Sequence, residues 1–139
     1  EYYFETMHHE FAHILHQKKN YPTEYNQISA ADYSSTGWQN RTEQQAWKLG
    51  FVTPYAGMEP QEDFVEVIAN YLVKPDGFWE NMLANAGTEG ATKIQTKFDM
   101  VKEWLMTAWN IDIDELRTII IRRSGDIDSI LNEKIAYNE

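Results

Sequence analysis

Three observations predict a mainly α-helical fold. Apolar residues recur at three- and four-residue spacing in successive segments, beginning with Phe4, Met7, Phe11, Ile14 and Leu15. No segment alternates apolar and polar residues as a half-buried strand requires. Between the periodic stretches lie clusters of Pro, Gly and Asn of the kind that start and stop helices.

The first helix is predicted from about Tyr3 to Lys18, with Lys18 and Lys19 complementing its C-terminal dipole. Its apolar stripe of Phe4, Met7, Phe11, Ile14 and Leu15 is expected to pack inward. Residues 20–40 read as irregular, and Thr42 to Lys48 as a short helix closed by Gly50. After a loop holding Pro54, Gly57 and Pro60, a helix with acidic Glu62 and Asp63 in its first turn runs to Val73 and stops at Lys74-Pro75. Phe78 to Asn85 forms another helix, and Thr88 to Asn110 a long one with Ile94, Phe98, Val101, Leu105 and Trp109 inward. Trp104 is likewise read as core. Asp112 or Asp114 caps the last helix. A break is expected near Gly125, with Asp126 restarting the chain and Ile127, Ile130 and Leu131 as its apolar face. With no internal repeat or boundary, residues 1–139 are read as a single domain.

The composition narrows the function classes. With 42% hydrophobic residues, five Trp and eight Tyr, the chain can build a real core rather than remain disordered. A formal charge of −10 argues against nucleic acid or an anionic membrane surface as partner. There is no Cys, so disulfides, thiolate metal sites and a cysteine nucleophile are excluded. His and carboxylate are left as the strong zinc ligands. No apolar run reaches the roughly 18 residues a transmembrane helix needs. The chain does not begin with Met, shows no signal peptide, and leads from Glu1 almost directly into the first helix. We therefore expect a mature or truncated piece whose N-terminal portion is absent.

One pattern carries chemistry: His9-Glu10-Phe11-Ala12-His13, a His-Glu-x-x-His sequence within a helical stretch. Residues four apart lie roughly 40° apart around a helix, so His9 and His13 can address one Zn2+ ion while Glu10 stands beside it as a base. His8 points away from that face. Catalytic zinc normally takes three protein ligands, and the third must come from elsewhere. His16 shares the face, but seven residues of helix rise about 10 Å, too far for one ion to reach both it and His9. The metzincin completion needs Gly at position 16 and His at position 19, where this chain has His16 and Lys19. The remaining candidate is the helix carrying Glu62 and Glu66. These carboxylates sit one turn apart, beside an apolar side of Phe64, Val65 and Ile68. Half-buried carboxylates need a cation or a donor, which a zinc ion for one and an imidazole N–H for the other would supply. Asp63 faces about 100° away from Glu62 and so leaves Glu66 off its face.

The stretch Tyr55-Ala56-Gly57-Met58-Glu59-Pro60-Gln61-Glu62-Asp63-Phe64-Val65-Glu66 resembles the Tyr and Glu-x-Phe-x-Glu segment of peptidases similar to anthrax lethal factor. In that gluzincin-like group a Tyr precedes the ligand Glu by seven residues and a second Glu follows by four, positions matched by Tyr55, Glu62 and Glu66. The chain as a whole resembles the zinc-binding metallopeptidase lipoproteins of gut bacteria that accompany outer-membrane nutrient-import systems. The specific likeness runs from His9 to Glu66.

The resemblance implies the helical C-terminal part of a zincin-like metalloprotease fold, without the small β-sheet that usually precedes the first active-site helix and holds substrate. It implies zinc on His9, His13 and Glu62, and hydrolysis of peptide or protein substrates by a zinc-activated water with Glu10 as general base. Tyr55 would stabilise the oxyanion, and Glu66 would orient the imidazole of His9 or His13. It further implies an extracytoplasmic place, in the periplasm or anchored at the outer membrane, with import proteins as partners. Two other classes compete: a catalytically inactive, zinc-stabilised interaction module of such an import system, and a helical domain with no metal.

Overall fold

The computed structural model describes residues 2–138; Glu1, expected to lead straight into the first helix, lies outside the described residues. Six α-helices follow one another: α1 (Tyr2–Lys18), α2 (Glu43–Lys48), α3 (Pro60–Val73), α4 (Phe78–Asn85), α5 (Gly87–Trp109) and α6 (Ile113–Asn138). Short 3₁₀ turns at Thr23–Gln27, Gly37–Asn40 and Tyr55–Gly57 punctuate the loops. No strand occurs among the described residues, and no helix is long and apolar enough to cross a membrane.

The helix ends follow local chemistry. Thr42 and Gln45 form a reciprocal capping box that starts α2. Gly50 ends that segment in a left-handed conformation (φ 90°), which glycine adopts without a Cβ penalty. Pro60 opens α3 at its first position, where a missing N–H is harmless. Asp112, not Asp114, supplies the α6 cap, its Oδ1 accepting from the amides of Asp114 and Glu115. Gly90 lets α5 approach the end of α2 closely; a Cβ there would lie 2.3 Å from the Trp47 carbonyl oxygen.

Helix α3 is the axis of the fold, packed by α1, α5 and α6, and it is buried almost continuously from Asp63 to Asn70. Phe64 stacks on Tyr21 at 4.3 Å and meets Tyr25 and Trp104 edge-on. Ile94, Phe98, Val101, Trp104 and Leu105 bury the inner face of α5 as the periodicity predicts, while Trp109 is only partly buried.

Two apolar faces are not where periodicity alone puts them. Met7, Phe11 and Ile14 are 44–52% exposed, and α1 instead buries Ala12, Leu15 and His16. The reason is competition between adjacent faces: α1 turns its histidine edge toward the carboxylates of α3, which carries the apolar stripe outward. The second correction concerns α6, which continues through Gly125 without a break. A glycine keeps its N–H and can adopt helical angles, so it costs about 1 kcal/mol but leaves the hydrogen-bond ladder intact. Ile127, Ile130 and Leu131 on that segment are exposed.

The deepest polar feature is an ion pair between α5 and α3. Lys97 Nζ lies 2.8 Å from Asp63 Oδ2, with both side chains wholly excluded from solvent. Tyr33 donates its hydroxyl to the same carboxylate at 2.5 Å and Tyr25 at 3.3 Å. Lys97 donates in addition to Ser29 Oγ (2.9 Å) and the Gly50 carbonyl (2.6 Å). Burial pushes the Asp63 carboxyl up and the Lys97 ammonium down, and each is the other's chief compensation. Replacing Lys97 by Met leaves a buried carboxylate without its cation. Chemical denaturation should show a loss of about 3–5 kcal/mol, much of it recovered when Asp63→Asn is added.

Candidate metal centre

The site is assembled from three stretches of chain. His9 and His13 occupy consecutive turns of α1. Because Pro60 fixes the start of α3, Glu62 falls in its first turn and Glu66 one turn deeper, both toward α1. The loop before α3 brings in Thr53 and Tyr55.

The atoms that converge are His9 Nε2, His13 Nε2 and Glu62 Oε2. The two imidazole nitrogens are 3.2 Å apart, and the carboxylate oxygen lies 2.9 Å from His9 and 3.2 Å from His13. A tetrahedral ion with bonds of 2.0–2.1 Å would hold its ligand atoms about 3.3 Å from one another, so this triangle matches one face of such a site. Two imidazoles and a carboxylate are a donor set that zinc accepts. The three side chains are 12–15% exposed, leaving an approach from solvent.

The supporting contacts set which ring nitrogen is free. Glu66 Oε2 sits 3.0 Å from His9 Nδ1, so that nitrogen carries the proton and donates, and Nε2 is left to face His13 Nε2 and Glu62 Oε2. Glu66 is itself held by Thr53, whose hydroxyl donates at 2.8 Å to Oε1 and accepts from the Ala56 amide at 3.1 Å. Burial alone would lower the basicity of His9; the hydrogen bond and charge of Glu66, with the charges of Glu62 and Glu10, outweigh it and raise its pKa. Tyr55 packs 5.9 Å from the His9 ring, edge-on to Trp38. Its hydroxyl is kept protonated by burial and then by the charge of Glu62, to which it hydrogen-bonds. Glu10 lines the adjoining cleft of about 340 Å³ together with His9, Trp38, Tyr55 and Glu66.

Every residue of this constellation falls within residues 1–114, the span matched by the family described as "Putative zinc-binding metallo-peptidase". The chain belongs to this family. A crystal structure of a putative zinc-binding metallo-peptidase from Bacteroides caccae superposes on it with a TM-score of 0.88 at 52% identity, over 92% of this chain and 49% of that one. The chain thus spans about half the length of that protein. No curated protein matches it.

Other residues weighed from the sequence of this zinc-binding metallo-peptidase family member find different places. Asp63, the alternative to Glu62, turns into the core toward Lys97. His8 leaves the site and lines an apolar groove with Met7 and Phe11, where burial lowers its pKa. His16 lies off the triangle of His9, His13 and Glu62, on the far side of the His13 ring, with its Nε2 2.9 Å from His13 Nδ1. Sequence reasoning missed Thr53 and gave Lys97 no role. A hydroxyl two residues before Tyr55 was the only trace of the first. A lysine three residues after Ile94 and four before Val101, on the buried face of α5, was the trace of the second.

Purified protein should take up about one zinc per chain, measured by elemental analysis and competition titration. Glu62→Ala should weaken uptake by more than the roughly 10–100-fold typical of losing a supporting partner. Chelation should lower the melting temperature of the wild type while barely moving that of Glu62→Ala.

Proposed function

We propose that this chain carries the metal-binding and catalytic residues of a zinc-dependent peptidase. The observation that carries the reading is the triangle of His9 Nε2, His13 Nε2 and Glu62 Oε2, with Glu10 and Tyr55 bordering the same cleft. His9, His13 and Glu62 hold the ion. When bound, zinc supplies a fixed positive charge that acidifies water and polarises a carbonyl oxygen at neutral pH.

The protein's own groups do the rest. Glu10, at the open edge of α1, accepts the proton of the attacking water and delivers it to the departing amine. Tyr55 remains a phenol and can turn its O–H from Glu62 to the carbonyl oxygen of a peptide as negative charge develops there. Glu66 and Thr53 hold His9 in one tautomer and orientation throughout. The cleft between Trp38, Tyr55 and the first turns of α1 offers an extended peptide a place beside these groups.

The decisive experiment is Glu10→Gln, assayed on a peptide library with zinc content measured in parallel. Cleavage should fall by about 10²–10⁴-fold while zinc stays bound. Persistence of cleavage in that zinc-loaded variant removes Glu10 from the role. Tyr55→Phe should lower kcat by about 10²–10³-fold with little change in zinc content.

A further inference from the structure

We infer that His16 is a positioning residue of the metal centre: its Nε2 accepts the Nδ1–H of His13 and so fixes the tautomer that leaves His13 Nε2 free for the ion. The inference rests on the zinc reading above and adds a group which that reading does not use. A neutral imidazole carries one proton. A nitrogen that binds a metal cannot hold it, so in a His13 that coordinates through Nε2 the proton belongs on Nδ1 and needs an acceptor. The atom facing His13 Nδ1, at 2.9 Å, is His16 Nε2.

The placement of His16 has little freedom. The residue is 6% exposed, with its ring edge-on to Tyr21 and to Phe64. Phe64 is fully buried in α3, two residues beyond Glu62, so the helix that supplies the third ligand also braces the ring behind the second. His16 stands three residues after His13 on α1, which puts the two side chains on one face with their rings 5.1 Å apart. Helical rise keeps His16 from reaching the ion itself but brings it within reach of His13. The two ligand histidines are then supported unequally: His9 donates to a carboxylate, His13 to an imidazole.

A residue that merely fills space would tolerate Phe at this position; an acceptor would not. Two variants separate the roles. His16→Phe keeps an aromatic ring and removes the acceptor, whereas His16→Gln can present an amide oxygen in its place. Zinc affinity, read by competition with a chromophoric chelator, should fall about 10–100-fold in His16→Phe and return largely to the wild-type value in His16→Gln. The cobalt(II) absorption spectrum should shift in the Phe variant and recover with Gln. Unchanged affinity in His16→Phe overturns the inference, and so does a loss that Gln leaves unrepaired. Should His16→Phe fail to fold, nitrogen-15 spectra of the wild-type histidine rings decide: a proton on His13 Nδ1 and none on His16 Nε2 is expected, and the reverse overturns it. Wild-type protein that binds no zinc would bring down the metal reading and this role together. Normal wild-type binding with an indifferent Phe variant would bring down the role of His16 alone.

Discussion

Lys97 and Asp63 are opposite charges wholly withdrawn from water, and neither would tolerate burial without the other. Such a pair adds little net stability over an apolar substitute of the same shape, but it strongly penalises every arrangement that separates the partners. What it selects here is register. Asp63 is the fourth residue of α3, and the atoms around Lys97 come from α5, the Ser29 segment and Gly50. With that residue pinned, the first turn of α3 has one rotation about its axis, and Glu62, about 100° round the helix from Asp63, is delivered toward α1. The rest of the site is hung from that turn.

Around it runs a graded polar network. The Thr53 hydroxyl holds Glu66, Glu66 holds His9, and the Tyr55 hydroxyl leans on Glu62. From the Ala56 amide through Thr53 and Glu66 to His9, each polar group is held by the next, the condition under which a polar cluster rigidifies a fold rather than loosening it. Three nitrogen and oxygen atoms brought within 3.2 Å of one another are a poor arrangement by themselves and a good one around a cation.

What could be read in the sequence was what depends on short-range spacing. The four-residue interval of His9 and His13, the proline that opens α3 and the interval of Glu62 and Glu66 together determine which atoms can meet, because helical geometry converts each into a direction. The first five helices were legible for the same reason, to within a residue or two, whereas α6 runs on through Gly125, where a break was expected. Relations across the fold were not. Periodicity marks Met7, Phe11 and Ile14 as one apolar side of α1 but cannot tell which side faces α3 when a polar side has partners there. Lys97 looks like any lysine of an amphipathic helix until Asp63 and two tyrosines close around it. His16 was judged only as a ligand, since a rise of 10 Å settles that question; its contact with the back of the His13 ring depends on side-chain rotation, which spacing does not encode.

The outward turn of Met7, Phe11 and Ile14 has a consequence for how the fold is held together. With Met7, Phe11 and Ile14 about half exposed, the buried contact of α1 with its neighbour runs through Ala12, Leu15 and a row of imidazoles, a face poor in hydrophobic area. On the proposed reading, the ion acts as a rivet between α1 and α3 as well as a reagent. Chemical competence and the attachment of the first helix then draw on a single equilibrium, set by the supply of metal in the surroundings.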